Sequence, residues 1–387
     1  MIHFKDLNTE EFLSSYWQKK PLVIRKAFTD FQNPLSPEEL AGLAMEEEIE
    51  SRIVTETQQA PYWHLKRGPF LLNDFKELPE TRWTLLVQGV DRFIPEVHLL
   101  LDHFNFLPQW RIDDVMISYA TRGGNVGPHF DHYDVFLYQA LGSRRWSLTS
   151  KNCQPENCLA GVELRIMQDF EIEEEYLLEE GDMLYLPPHI GHHGVAVSSD
   201  CMTYSFGYRS YQGREMLEDF TDFLAEHENI ALFKDPEWNQ LKAPSQIPLE
   251  AWQKAREFLK ELFEDDNRMK NWFARFVTRL DRHAEDLLPS PSVKKVKEEQ
   301  FLKRLLQSKG LSRNPLCRYA YEEDEKGLNL FINAEQWHTE GVSEELIRCV
   351  ANHRLLNLES LANFLEKTQD RAFLFKLWKL QWLEIQD

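Results

Sequence analysis

Short apolar runs, separated by turn-forming residues, occupy the first half of the chain. Each run is rich in β-branched and aromatic residues and is bounded by Gly, Pro, Asn or Asp. The runs are WTLLVQGV, DVMISYA, DVFLYQALG, RRWSL, DMLYLPP, HHGVAVS and CMTYSFGYR. Because many short strands at such spacing are typical of antiparallel double sheets, the pattern predicts a jelly-roll domain over residues 1–209.

The period of the apolar positions changes to helical spacing near Ser210. Three stripes follow, formed by Met216, Leu217, Phe220, Phe223 and Leu224, by Trp252, Ala255, Leu259, Leu262 and Phe263, and by Trp272, Phe273, Phe276, Val277 and Leu280. They predict an all-helical region over residues 210–286. Three helices bury little surface alone, so we expect this region to pack against a second copy and form a homodimer.

The C-terminal third begins with the segment LLPSPSVKKVKEE, near residues 287–299, whose prolines, serines and charges predict a linker. Helical and strand-like runs then alternate to Asp387 and end in a hairpin and an edge strand, which predicts a winged-helix-like domain over residues 287–387. The fold class is therefore α+β, with a jelly roll first and two further regions after it.

The composition restricts the expected binding partners more than it restricts the fold. The formal net charge of -20 disfavours nucleic acids and anionic membranes and favours a basic protein partner. The N-terminal residues lack the apolar core of a signal peptide, and no apolar run approaches the ~18 residues of a membrane span. None of the five cysteines lies two residues from another, so zinc-ribbon and disulfide frameworks are not indicated and a cytoplasmic location is expected.

The segment GPHFDHYDVF, residues 127–136, carries the candidate chemistry. On a strand, His129 and Asp131 project to one face and His132 to the other. One imidazole and one carboxylate are two of the three ligands of the facial triad that holds non-haem Fe(II). The third ligand should come from a distant strand, and the segment EEGDMLYLPPHIGHHGVAV offers His189, His192 and His193 for it.

A 2-oxo acid bound to such iron needs a cation for its far carboxylate, and arginine offers a planar, two-pronged donor. The run GSRRWSL contains Arg144 and Arg145, of which only one can face inward on a strand. Ser118, in the run DVMISYA, could add a hydroxyl hydrogen bond from another strand.

Several longer segments resemble the JmjC-type bacterial ribosomal oxygenases. They are FLSSYWQKKPLVIR, WTLLVQGVDRF, LPQWRIDDVMISYA, GGNVGPHFDHYDVFLYQALGSRRWSL and EEGDMLYLPPHIGHHGVAVSS. The resemblance implies a double-stranded β-helix (cupin-like JmjC) domain, then a dimerisation region and a winged helix. It also implies an Fe(II)- and 2-oxoglutarate-dependent enzyme that hydroxylates an arginyl residue of large-subunit ribosomal protein sixteen.

The family motifs match this sequence residue by residue. The metal ligands of the family fall on His129, Asp131 and His192. Its co-substrate arginine and serine fall on Arg144 and Ser118. The resemblance thus implies that these five residues hold the iron and 2-oxoglutarate.

Three positions depart from the family pattern. His132 stands where an amide is usual, His189 where a glycine follows Pro-Pro, and Gly191 where a proline precedes the distal ligand. The extra histidines keep the third ligand open among His189, His192 and His193.

Two other functions fit part of the pattern. One is a JmjC-type hydroxylase of a histidyl or other residue in a different basic protein. The other is a cupin and winged-helix regulator that binds DNA through the basic segment KKVKEEQFLKRLLQSKG. For a guanidinium substrate, the candidates at the cavity mouth are Tyr133, Asp134 and Tyr138, of which Tyr133 shares the face of His129.

Overall fold

The computed structural model describes residues 2–4, 7–59, 62–227, 232–237, 243–291, 296–325 and 327–386. It divides into two compact units, Met1–Ser210 and Tyr211–Asp387. Residues 292–295, within the predicted linker and at the start of the basic segment, lie outside the described residues.

The N-terminal unit is built mainly from strands. Its α-helices are α1 (Thr9–Ser15), α2 (Pro37–Leu43), α3 (Leu72–Lys76) and α4 (Pro95–Leu100). Short 3-10 helices lie at Val90–Arg92, Leu101–Phe104, Gln109–Arg111 and Pro155–Asn157. Its strands are β1 (Leu22–Ile24), β2 (Ser51–Glu56), β3 (Trp63–Arg67), β4 (Trp83–Val87), β5 (Ile112–Ala120), β6 (His129–Phe130), β7 (Val135–Leu141), β8 (Arg144–Thr149), β9 (Glu174–Leu178), β10 (Met183–Leu186), β11 (Gly191–Ala196) and β12 (Cys201–Tyr208).

These strands form two antiparallel sheets. The larger has the order β1-β10-β7-β12-β5-β4-β2-β3, and the smaller has the order β6-β11-β8-β9. Each of the seven runs predicted as strands contains one, namely β4, β5, β7, β8, β10, β11 and β12. The predicted double-sheet architecture is therefore confirmed. Strands β2, β3 and β9 were not among the predictions.

One face of the larger sheet is covered by the N-terminal helices and an aromatic core. Phe12 of α1 is fully buried, and its ring lies 5.1 Å from that of Tyr185 on β10. Phe104 lies 5.1 Å from Phe136 of β7 in the same cluster. Losing a buried phenylalanine of this kind costs about 3–5 kcal/mol. Since this face is sealed, the opposite face is left for the functional site.

A buried polar network ties the end of α1 to the start of β7. The Asp134 carboxylate is fully buried and accepts hydrogen bonds from Tyr185 Oη at 2.7 Å, Gln18 Nε2 at 3.1 Å and Arg111 Nη2 at 3.3 Å. Burial raises the pKa of Asp134 although these donors act against it. The network fixes the chain just after the segment that carries His129 and Asp131.

The C-terminal unit combines helices with two small sheets. Its helices are α5 (Gly213–His227), α6 (Leu249–Phe263), α7 (Asp266–Thr278), α8 (Arg282–Leu287), α9 (Glu298–Leu305), α10 (Glu344–Asn352), α11 (Leu358–Leu365) and α12 (Thr368–Lys379). Its strands are β13 (Gly310–Arg313), β14 (Tyr319–Asp324), β15 (Gly327–Ile332), β16 (Glu335–Trp337), β17 (Leu355–Asn357) and β18 (Leu383–Gln386). The sheets have the orders β17-β13-β18 and β14-β15-β16.

Helix α7 connects the helical part of this unit to its sheets. Asn271 Nδ2 donates to Gln336 Oε1 at 2.7 Å, and Arg275 Nη1 donates to the Ala334 carbonyl at 3.0 Å. Phe276 is buried and stacks on Trp272 at 5.6 Å. The division into regions 210–286 and 287–387 stays a prediction, because both parts lie in one compact unit.

Helix α6 differs from α7, because its described residues include no buried side chain. Leu249, Trp252 and Leu259 are 56%, 47% and 56% exposed. The helical stripes predicted here are thus of two kinds. That of α7 is buried, whereas that of α6 stays largely exposed among the described residues, although its Phe263 stacks on Phe220 at 5.0 Å. Among the helices that the structure describes, none combines the length and the apolar character of a membrane span.

Candidate metal and co-substrate site

A cavity of about 310 Å³ lies between the two sheets of the N-terminal unit. The larger sheet lines it with side chains that include Met116, Ser118 and Ser205. The smaller sheet contributes His192 and Arg144. The cavity has the size of a small-molecule site, and its lining combines apolar side chains with charged and hydroxyl groups.

Three possible metal ligands converge in this cavity. Ligand atoms of His129, Asp131 and His192 all lie within 4.8 Å of one another. His192 Nε2 is 3.7 Å from Asp131 Oδ2, and the two imidazole centroids are 4.2 Å apart. The histidines meet because β6 and β11 are antiparallel neighbours in which His192 is the direct partner of His129.

Asp131 reaches this cluster from outside a strand. Strand β6 ends at Phe130 and β7 begins at Val135, so the continuous strand assumed for the segment is wrong. Asp131 lies instead in the irregular connection between the two strands, and its backbone carbonyl accepts a hydrogen bond from the His189 amide at 2.8 Å. The two side chains converge although simple alternation along a strand does not explain it.

The imidazoles are oriented for ligation through Nε2. Each Nδ1 lies 3.0 Å from a backbone carbonyl, that of Gly127 for His129 and that of Ile190 for His192. Donation from Nδ1–H leaves the lone pair on Nε2, the arrangement usual for metal-binding histidines. Burial, and next the neighbouring His129, lower the pKa of His192 to about 4. His192 is therefore neutral at physiological pH, as a ligand must be.

The other histidines of the two segments lie outside the cluster. His132 is exposed, and its ring lies 5.0 Å from that of His189. His193 Nε2 is 3.3 Å from Asn125 Oδ1. Of the three histidines considered for the third position, the structure brings His192 to His129 and Asp131.

Arg144 lies at the inner wall of the cavity and is 4% exposed. Its Nε and Nη2 have no hydrogen-bond partner among the described residues, and its guanidinium carbon lies 5.7 Å from the Trp146 ring centroid. A buried cation without an anion is costly, so this position fits a carboxylate ligand. Arg145 points to the other side of β8, where it is 3.6 Å from Glu175.

Ser118 lines the same cavity from β5 and is 5% exposed. Its hydroxyl is 3.5 Å from the Thr203 carbonyl, at the limit of a hydrogen bond. The hydroxyl can therefore donate to a ligand at little cost. Two imidazoles, a carboxylate, a buried guanidinium and a hydroxyl together fit Fe(II) and a dicarboxylate.

The residues considered for the cavity mouth fall into two groups. Tyr133 lines the cavity together with Asp131. Burial raises the pKa of the Tyr133 phenol, and the charge of Asp131 adds to this rise. Asp134 and Tyr138 do not line the cavity, because Asp134 belongs to the buried network and Tyr138 is 1% exposed in the aromatic core.

The sequence pattern did not indicate the arginines on the solvent-facing side of the cavity, called here its outer wall. Arg52, Arg67 and Arg165 line the cavity, the first two from β2 and β3. The alternation in SRIVTE, with Arg52 and Val54 on one face, was a weak signal for them. Both strands are short and charged, so neither stood out as an apolar run.

Two family models match this chain. The model described as "JmjC domain" matches residues 99–216, and that described as "ROXA-like winged helix" matches residues 237–384. The second match agrees with the winged helix that the sequence predicts at the C-terminus.

The chain is also similar to characterised proteins of Escherichia coli. It is 40% identical over 286 residues to the "Ribosomal protein uL16 3-hydroxylase" of strain K12, over 73% of this chain and 74% of that protein. The X-ray structure of E. coli ycfD matches with a TM-score of 0.87 and 33% identity over 100% of both chains. The ribosomal oxygenase YcfD in complex with cobalt and 2-oxoglutarate matches with a TM-score of 0.85 and 32% identity over 100% of both chains.

Proposed function

The chain belongs to the JmjC-type ribosomal oxygenases, and from that premise we propose that it is an Fe(II)- and 2-oxoglutarate-dependent hydroxylase of an arginyl residue in ribosomal protein uL16, large-subunit protein sixteen. One observation carries the chemistry. The His129, Asp131 and His192 cluster shares a cavity with the buried guanidinium of Arg144, whose Nε and Nη2 have no hydrogen-bond partner among the described residues.

We assign the metal to His129, Asp131 and His192. Two imidazoles and a carboxylate on one side of an iron leave coordination positions open on the other. When bound, iron with 2-oxoglutarate and O2 supplies the oxidant that replaces a C–H hydrogen by a hydroxyl group. The backbone carbonyls of Gly127 and Ile190 keep both Nε2 atoms directed at the metal position.

We assign the co-substrate contacts to Arg144 and Ser118. Arg144 would pair with the far carboxylate of 2-oxoglutarate and so find the anion that it lacks among the described residues. The Ser118 hydroxyl would donate to the same carboxylate. Apolar walls that include Leu137 and Trp146 keep water from the reacting end.

The substrate assignment rests on the E. coli relative, whose name is "Ribosomal protein uL16 3-hydroxylase". The net charge of -20 supports it, since the charge favours encounter with a basic ribosomal protein. Tyr133, at the cavity wall beside Asp131, presents an aromatic face to a guanidinium. A ribosomal substrate also supports our proposal of a cytoplasmic location.

The test is mass spectrometry of a uL16 peptide incubated with the Fe(II)-loaded chain and 2-oxoglutarate. We expect a gain of one oxygen on the arginine, coupled to 2-oxoglutarate turnover. A peptide with lysine in place of that arginine should lose most of the activity, because a point charge does not reproduce a planar fork. Turnover on a histidine-containing ribosomal peptide alone would instead favour a histidyl hydroxylase.

We further propose that the chain forms a homodimer through α6. The support is the uncovered stripe of Leu249, Trp252 and Leu259, which are all about half exposed. A second copy would remove this apolar surface from water. The net charge of -20 argues against nucleic acid as the partner of this chain.

A further inference from the structure

The outer wall of the cavity concentrates positive charge in a strongly acidic protein. Arg52, Arg67 and Arg165, called here the mouth arginines, line the same cavity as Arg144. The carboxylates among the lining residues are Asp131 and Glu163. Four guanidiniums therefore face two carboxylates in a chain whose net charge is -20.

The fold itself does not call for this arrangement. Arg52 and Arg67 are direct partners in the antiparallel pairing of β2 and β3. Like charges directly opposite each other on neighbouring strands destabilise a sheet. The pair is therefore retained against a cost in stability, which indicates a role outside folding.

The mouth arginines are poorly neutralised. Arg52 Nη2 lies 3.8 Å from Met116 Sδ, a weak acceptor, and the described residues give Arg52 no ion pair. Arg165 is exposed and likewise has no ion pair within the described part of the chain. Arg67 is 3.7 Å from Glu163, but both side chains are more than 60% exposed, so the pair is weak.

We propose that the mouth arginines form an anion-attracting entrance, which draws the 2-oxoglutarate dianion from solution and passes it to Arg144. The inference rests on the proposed function. A dianion approaching a chain of charge -20 is repelled at long range. Within a Debye length of about 8 Å at physiological salt, the local charges dominate, and at this cavity they are positive.

The positive charges of the mouth arginines repel a basic peptide. A cationic substrate gains nothing from Arg52, Arg67 or Arg165, whereas a dicarboxylate gains from each. The entrance therefore favours loading of the co-substrate before the peptide. Glu163 limits the effect, because it partly neutralises Arg67.

The test measures the association rate constant of 2-oxoglutarate. The full-length chain, loaded with Mn(II), is mixed with 2-oxoglutarate in a stopped-flow instrument and followed by tryptophan fluorescence at several salt concentrations. The triple variant Arg52→Gln, Arg67→Gln, Arg165→Gln should associate on the order of tenfold more slowly at low salt. The dissociation rate should change little, and the difference should shrink at high salt.

Two further variants test the direction in which charge changes the association rate and the part of the protein from which this effect arises. Glu163→Gln should speed association, since it frees Arg67 from its carboxylate. Arg145→Gln removes the same charge from the outer side of β8 and should leave the rate near that of wild type. Thermal unfolding of every variant checks that the fold is kept.

Three outcomes would overturn the inference. Equal association rates in wild type and the triple variant at low salt would do so, as would slower association in Glu163→Gln. A higher KM for the uL16 peptide with an unchanged 2-oxoglutarate rate would assign the arginines to the peptide instead. A wild-type protein that binds no 2-oxoglutarate contradicts the proposed function itself, so the two failures are distinguishable.

Discussion

The cavity of the N-terminal unit and helix α6 of the C-terminal unit depart from ordinary burial in opposite directions. In the cavity a charged group, Arg144, is 4% exposed and lacks hydrogen-bond partners for two of its nitrogens among the described residues. On α6 the apolar residues Leu249 and Leu259 are each 56% exposed. Folding normally pairs buried charges and covers apolar stripes.

The difference identifies the kind of partner that each region requires. A buried guanidinium is matched by a small anion that can enter the cavity. An apolar helical stripe is matched by another protein surface, because only a large apolar area can cover it. The four predictions below test this contrast, beginning with the largest expected effect.

Removing a ligand of the cluster should abolish hydroxylation. His129→Ala, Asp131→Ala or His192→Ala takes away one of three metal contacts, and we expect a loss on the order of 10³-fold or more. Mn(II) binding, measured by calorimetry, should be lost together with activity, while thermal unfolding shows an intact fold. His132→Ala and His193→Ala are the matched controls. Loss of the metal in either control would contradict the assignment of ligands.

Replacing Arg144 should separate ligand binding from stability. Arg144→Met keeps the approximate volume but removes the charge, so 2-oxoglutarate affinity should fall by roughly 3–5 kcal/mol. The ligand-free protein should unfold at the same or a higher temperature, because an uncompensated buried charge is gone. Arg145→Met serves as the control. A marked fall in the unfolding temperature of Arg144→Met would mean that the guanidinium has an unrecognised partner.

Aspartate substitutions should distinguish the two kinds of helical stripe. Leu259→Asp changes an exposed position, so we expect a folded monomer of 45.9 kDa in light scattering. Phe276→Asp changes a residue that is 5% exposed and packs on Trp272, and it should destabilise the protomer by about 3–5 kcal/mol. A wild-type protein of one-chain mass at micromolar concentration would contradict the dimer.

The smallest expected effect, on the pH dependence of stability, concerns Asp114, a buried carboxylic acid that accepts hydrogen bonds within the protein. Asp114 Oδ2 accepts from Gln88 Nε2 at 2.7 Å and from the Gly89 amide at 2.9 Å, yet burial, with the charge of Asp91 next, raises its pKa to about 7. Since this pKa is above that of the unfolded chain, near 4, the stabilisation is present at low pH and is lost as pH rises through 7.

Asp114→Asn should remove this pH dependence. Relative to wild type, the variant should gain about 1–3 kcal/mol in free energy of unfolding between pH 5 and pH 8. Urea unfolding at both pH values measures the change. A pH-independent difference between the two proteins would show that Asp114 keeps one protonation state between pH 5 and pH 8, contrary to this prediction.

The sequence predicted best where apolar periodicity is strong. Strands such as β5 and β12 are long and apolar, so their positions follow directly from the pattern. Strand β2 is short, and one charged residue, Arg52, faces the cavity from it, so its strand pattern is weak. A strand that lines a polar site therefore loses the signal by which strands are recognised.

The site was predicted in its residue types but not in all of its geometry. Asp131 lies in the irregular connection beyond β6, and no local pattern specifies the path of such a connection. The stripes containing Leu259 and Phe276 are alike in sequence, although one is exposed and the other buried. Which surface covers a stripe depends on contacts between distant segments, and a local period does not contain that information.

The hydrogen bonds around Asp134 have a consequence for synthesis of the chain. Gln18 pairs with Asp134 and with the Tyr185 hydroxyl, which lie 116 and 167 residues further along. At elongation rates of roughly 5–20 residues per second, Gln18 is incorporated about 8–33 s before Tyr185. The first helix therefore cannot take its final place co-translationally until β10 has emerged. His192 is synthesised only seven residues after Tyr185, so the metal cluster and its N-terminal support are completed almost together.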